Sequence, residues 1–155
     1  MRESEESVSQ KILMIVGDGG ESYETWFAKH RFEEANYIVD VAAPTKKRLN
    51  LVIHDFEPGW DTYMERPGYI MESDITFEQV NPSDYVAVLC IGGRAPEYLR
   101  NNKRVLDILR EFDRQEKWLF AICHGVQLVA AAGLVKGKKL TCYEHVRLEA
   151  ETVGA

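Results

Sequence analysis

The sequence predicts an α/β fold: a mostly parallel, doubly wound sheet with helices on both faces. Compact apolar runs alternate with amphipathic stretches along the chain, and such alternation builds parallel sheets through crossover connections. The three loops richest in chemistry-bearing residues, "GDGGESYE", "GGRAPE" and "ICHG", each follow a predicted strand, where doubly wound folds hold their ligands. In "FAICHGVQLVAAAG" (120–133), an apolar run passes through a thiol, an imidazole and a glycine straight into a small-residue helical pattern.

The elements follow in order. "KILMIV" (11–16) is an apolar run halted by "GDGG", a buried strand. Residues 23–36 set Tyr23, Trp26, Phe27 and His30 at helical spacing, and "YIVDVAAP" (37–44) is a second strand stopped by Pro44. Residues 45–80 are uneven, with turns at "EPGW" and "ERPG" and short strands at "LVIHDF" and "GYIM". "DYVAVLCIGG" (84–93) is the clearest buried strand. "NKRVLDILREFDRQE" is a helix with Val105, Leu106, Leu109 and Phe112 on one face. "WLFAI" (118–122) is a strand, the "CHGVQLVAAAG" helix ends on a Gly133 cap, and "KLTCY" (139–143) is expected as a final strand.

At 155 residues the chain is long enough for one domain with a substantial core. A net charge of −6 argues against nucleic acid or an anionic membrane as principal partner, and no apolar run approaches the length of a bilayer span. The acidic, polar start, residues 1–10, reads as a disordered lead-in without the apolar core of a signal peptide, leaving 11–155 as a single domain. Three irregularly spaced cysteines and no CxxC pair point to a reduced, cytoplasmic setting.

Cys123 is the candidate nucleophile. Ala121-x-Cys123-x-Gly125 between a strand and a helix is the pattern of a nucleophile elbow, whose small flanking residues permit a cramped turn. A helix N-terminus beneath the sulfur favours the thiolate. His124 is either an acid–base partner or a strand-end residue, because neighbours on a tight turn usually point apart; it needs a third group to orient it. Glu21 and Glu24 share the sheet edge with Cys123. Each is explained as a helix-start carboxylate, or one of them approaches the sulfur, stays protonated and donates to it. Cys90 and Cys142 read as inert core thiols in strands. Cys142 and His145 offer two ligands only, short of a metal site. In "GDGGES", Asp18 and Glu21 would repel phosphate and no lysine follows, so a phosphate loop is rejected.

"GDGGESYE", "IGGRAPEYLR" and "AICHGVQLVAAAGLVKGKK" together resemble the ThiJ/PfpI superfamily of intracellular cysteine proteases, deglycases and glyoxalase relatives, in unbroken order over about residues 11–154. The resemblance implies a flavodoxin-like three-layer sandwich with Cys123 as nucleophile and Glu24 as the protonated carboxyl touching it. It implies an oxyanion site at Gly92 and Gly93, with the backbone N–H groups of Gly93 and His124 as donors, and an active-site tyrosine at Tyr143. It also implies a homodimer or larger homo-oligomer in which Glu97 completes a triad with a neighbouring chain's His124. Neither a cofactor nor a metal is implied. Family chains usually run a few dozen residues past "VGA", so the C-terminal end of the family fold is expected to be missing.

Three functions fit these residues. The first is cofactor-independent turnover of methylglyoxal-type oxoaldehydes or their glycation adducts, towards which the 45–80 insertion, similar to plant-type glyoxalases, tilts the reading. The second is an intracellular cysteine peptidase, favoured by Glu97. The third is a redox-sensing or chaperone-like protein using Cys123 as an oxidisable thiol.

Overall fold

The computed structural model describes residues 9–155. The chain runs through β1 (Lys11–Ile15), α1 (Ser22–Glu34), β2 (Ile38–Ala43), β3 (Arg48–Asp55), β4 (Met64–Glu72), β5 (Ile75–Thr76), β6 (Ala87–Cys90), α2 (Ala95–Leu99), α3 (Lys103–Arg114), β7 (Trp118–Ala121), α4 (Val126–Ala131) and α5 (Arg147–Thr152). Five strands form one sheet in the order β5-β2-β1-β6-β7, every pair parallel, while β3 and β4 pair antiparallel in a separate hairpin. The sequence-predicted sheet with helices on both faces is therefore present.

Alternate residues of β1 explain the layering. Leu13 and Ile15 face a cluster closed by Leu99, Val105, Ile108, Leu109 and Phe112, from α2 and α3, and by Leu128 of α4. Met14 and Val16 face the other side, with Ala28 of α1 and with Leu49, Leu51 and Met71 of the hairpin. A strand covered on both faces has to read as a continuous apolar run, which is why "KILMIV" shows no alternation. From β1 the chain winds out through α1 to β2, then crosses to β6 on the other side. The crevice at the carboxyl ends of β1 and β6 is the topological switch point.

Several expectations are corrected. Residues 139–143 form no strand; they run beside the end of β7 as extended, largely exposed chain, tied to the turn beyond it by the Tyr143 N–H at 3.4 Å from the Cys123 carbonyl. β7 is thus the edge of the sheet, with Trp118 71% and Phe120 41% exposed. Cys142 accordingly sits half-buried in loop rather than within a core strand. The insertion forms one long hairpin, not short separate strands. On α1 the buried residues are the small Ser22, Thr25 and Ala28, with Trp26 and Phe32 partly packed; Tyr23 and Phe27 point outward, because close approach of the helix to the sheet requires small side chains. Most of the expected lead-in lies outside the described residues, but the Gln10 carbonyl already accepts from the Ile38 N–H, so order starts before Lys11. Among the described residues no helix is long and apolar enough to cross a membrane.

Candidate active site

The loops after β1, β6 and β7 meet at the switch point. Cys123 follows β7 in a tight 3-10 turn, Cys123–Gly125, that precedes α4. Its backbone φ of 54° lies in the left-handed region, where a side chain is strained by roughly 1–3 kcal/mol. The turn closes through the Gly125 N–H on the Ile122 carbonyl at 2.7 Å. A Cβ on Gly125 would lie 2.3 Å from the Cys90 carbonyl oxygen, so the small residue after the thiol is a packing requirement.

The two glutamates of the first loop separate into two roles. Glu21 is the N-cap of α1, its carboxylate accepting from the Glu24 N–H at 2.7 Å. Glu24 turns inward: its Oε2 accepts from the Gly92 N–H at 2.7 Å, and its carboxyl lies against Cys123. Gly92 has to lack a side chain, since a Cβ there would sit 2.7 Å from both Cys123 Cβ and Glu24 Oε2. Burial, with the neighbouring Glu21 charge adding to it, raises the Glu24 pKa from 4.5 to about 7. The Cys123 thiol is pushed up to about 12, first by burial and then by the adjacent Glu24 charge. The backbone N–H groups of His124 and Gly93 point at the sulfur and pull the other way, without prevailing. The expected pull of a helix N-terminus toward the thiolate is opposed here by burial and by Glu24, and α4 is short and starts beyond the turn.

His124 is buried, and its Nδ1 lies 3.2 Å from Cys123 Sγ, so the two neighbours do face each other. Burial and the nearby His54 hold the imidazole below its ordinary pKa, favouring the neutral ring. Tyr143 packs 5.2 Å from it, centroid to centroid, and its buried hydroxyl has no hydrogen-bond partner among the described residues. Glu97, on α2, is exposed; its charge reaches His124 within the same chain, but it makes no hydrogen bond to that ring among the described residues. An open cleft of about 430 Å³ bounded by Ile122, Thr141, Cys142 and Tyr143 gives access to Cys123. A larger apolar groove, about 640 Å³, lies between α1, β7 and α4 and does not include the thiol; the chemistry belongs to the smaller cleft.

Sequence reasoning missed the contribution of the hairpin. His54 and Glu65 are cross-strand partners in β3 and β4, joined at 3.2 Å, and Tyr63 stacks on His54 with centroids 3.9 Å apart. His145 Nε2 lies 3.3 Å from the Asp61 carbonyl oxygen and ties the hairpin tip to the turn before α5. The only local signal was the density of aromatic and ionisable side chains in "HDFEPGWDTYMERPGY".

A parallel sheet with a cysteine on a strained strand–helix elbow and a carboxyl against the sulfur defines an α/β domain with a thiol at its topological switch point. The DJ-1/PfpI family model matches residues 10–155, and the chain belongs to that family. It is 42% identical over 143 residues to Protein DJ-1 homolog D of Arabidopsis thaliana, across 90% of this chain and 37% of that protein. It is 34% identical to Deglycase PfpI of Pyrococcus furiosus, across 88% of this chain and 74% of that protein. The chain thus spans little more than a third of the plant relative. In fold it is similar to a two-domain DJ-1/ThiJ/PfpI-like and ferritin-like protein of Anabaena variabilis, with a TM-score of 0.82 at 21% identity over 95% of this chain and 39% of that one.

Proposed function

We propose that this domain is a cysteine-dependent enzyme that converts methylglyoxal-type α-oxoaldehydes, or their early glycation adducts, without a cofactor. The observation that carries the reading is the Glu24–Cys123 pair at the mouth of two converging backbone N–H groups. The names of the Pyrococcus relatives, deglycases, support the same class.

A base with a pKa near 7 is matched to work at neutral pH. Ionised Glu24 accepts the Cys123 proton as the sulfur attacks the aldehyde carbon, so no free thiolate has to persist in a buried site. The resulting hemithioacetal oxygen lies within reach of the Gly93 and His124 N–H groups, which stabilise its developing charge. Neutral His124 then removes the proton from that carbon and returns it to the adjacent keto carbon, while the proton held by Glu24 passes to the former keto oxygen, leaving a 2-hydroxy thioester and ionised Glu24. Water cleaves the thioester, giving the hydroxy acid and restoring the thiol. The net reaction is addition of one water, with no change in overall oxidation state. Tyr143 offers its unpartnered hydroxyl to a substrate oxygen.

The peptidase reading rests on Glu97. Its exposed position leaves it open to a second copy's His124, and association into homo-oligomers is part of that proposal. One experiment separates the two: purified protein is assayed side by side for methylglyoxal loss and for peptidyl-amide hydrolysis, with Glu97→Gln as a third sample. Methylglyoxal loss that survives Glu97→Gln and disappears in Cys123→Ser supports the oxoaldehyde enzyme. Amide hydrolysis alone, abolished by Glu97→Gln, overturns it in favour of the peptidase.

A further inference from the structure

We infer that Tyr63 is a positioning residue for His124: its ring, backed by His54 and the Glu65–Arg94 ion pair, holds the imidazole with Nδ1 against the Cys123 sulfur. The inference rests on the oxoaldehyde reading for its kinetic consequence but not for its geometry.

An acid–base histidine normally has its second ring nitrogen anchored by an acceptor. Among the described residues His124 Nε2 makes no hydrogen bond, so another constraint has to fix the ring. That constraint is aromatic. Tyr63 meets His124 edge to face, with centroids 5.9 Å apart at 88°, and Tyr143 bounds a second side at 5.2 Å. Edge-to-face contact is directional, because the positive ring edge seeks the negative face.

Tyr63 is itself held from behind. His54 stacks on it at 3.9 Å and 12°, and the His54 side chain is 6% exposed. His54 Nε2 meets Glu65 Oε2 at 3.2 Å, while Glu65 Oε1 accepts from Arg94 Nε at 2.9 Å. Arg94 follows Gly93, and its own N–H donates to the Gly19 carbonyl at 2.9 Å. The turn that presents the Gly93 N–H to the sulfur thus also anchors the hairpin that walls in the imidazole. The groups acting on His124 are Cys123 beside it, His54 and Tyr63 from the hairpin, Glu97 from α2, Glu149 from α5, and Tyr143 and His145 from the turn before α5. The Tyr63 hydroxyl makes no hydrogen bond among the described residues, so the ring is the part that acts.

The test measures the pH profile of Cys123 alkylation by iodoacetamide, read at that cysteine by peptide mass spectrometry, together with kcat and KM for methylglyoxal. Tyr63→Leu and His54→Leu should displace the alkylation profile and lower kcat about 10- to 100-fold with little change in KM, the scale of a misplaced catalytic group. Tyr63→Phe, which keeps the ring, should rescue both readouts. An unchanged profile and kcat in Tyr63→Leu would overturn the inference, and so would a Tyr63→Phe protein as impaired as Tyr63→Leu. If Tyr63→Leu does not fold, His54→Leu decides alone, an unshifted profile counting against. Alkylation needs no substrate, so a wild-type protein inert to oxoaldehydes defeats the functional reading while the positioning arm still gives its answer.

Discussion

In the proposed mechanism Glu24 takes the thiol proton, and its raised pKa has two measurable consequences. A carboxyl whose pKa rises from 4.5 to about 7 on folding stabilises the fold in its neutral form. That contribution is complete below pH 4.5 and is lost as pH climbs through 7. Glu24→Gln is neutral throughout, so its thermal stability should draw ahead of wild type as pH rises, by at most about 3 kcal/mol, the free-energy equivalent of that rise. The same change removes a negative charge from beside the sulfur while keeping a donor, so Cys123 should alkylate faster at neutral pH. Turnover should fall roughly 10²–10⁴-fold, since the proton acceptor is gone. Glu24→Leu removes charge and donor together and should leave the thiol less reactive than in the Gln variant. Identical alkylation profiles in wild type, Gln and Leu would show that Glu24 is only a helix-start carboxylate. Cys123 and the meeting of its loop with the one carrying Glu21 and Glu24 could be read from the residues, because loops at strand ends converge in this class of fold; Glu24 and Gly92 were singled out only by the family resemblance. Which of Glu21 and Glu24 caps the helix could not, since both suit a helix start and only the approach of α1 to β6 separates them.

Among the elements, the elbow between β7 and α4 has little latitude. Its glycine is fixed by backbone rather than by a movable side chain: Gly125→Ala would drive a methyl against the Cys90 carbonyl. We expect a loss of about 1–3 kcal/mol in denaturant unfolding, with altered alkylation of Cys123 because the strained residue cannot move independently of the turn. Wild-type stability in that variant would show that the loop has slack the contacts do not suggest. Buried strands and the apolar face of α3 were legible because continuous or periodic apolar residues leave few alternatives. Residues 139–143 misled for a complementary reason. "KLTCY" has the composition of a strand, yet strand formation depends on a partner, and the Tyr143 N–H of this segment reaches the Cys123 carbonyl in the turn beyond β7 rather than β7 itself. The face of α1 was misjudged because aromatic spacing suggests burial, whereas the sheet accepts only Ser22, Thr25 and Ala28 at close range.

At the scale of the whole molecule, β7 is an edge strand of the parallel sheet among the described residues. Trp118 and Phe120 stack on one side of β7, with ring centroids 6.1 Å apart, and both are exposed. Exposed strand edges carrying apolar side chains invite association. Trp118→Glu should therefore reduce concentration-dependent self-association in sedimentation analysis, with methylglyoxal turnover preserved, because Trp118 opens β7 while Cys123 lies beyond its far end. Equal sedimentation of the two proteins would remove this edge as an association surface. The parallel, doubly wound sheet was legible from local patterns, but the wall around His124 was not. His54, Tyr63 and Glu65 come together through hairpin register, and Arg94 joins them from a loop on the main sheet. The hairpin lies outside the five-stranded sheet, touches the thiol's surroundings through Tyr63 and His54, and is latched at Asp61 and Arg94. For an engineer it looks like an interchangeable cassette, one to be swapped from relative to relative for new substrates. The same rings that would shape the entrance also wall in His124, so if that imidazole is the base proposed above, each exchange should reset turnover along with preference, and selection for one would act on both.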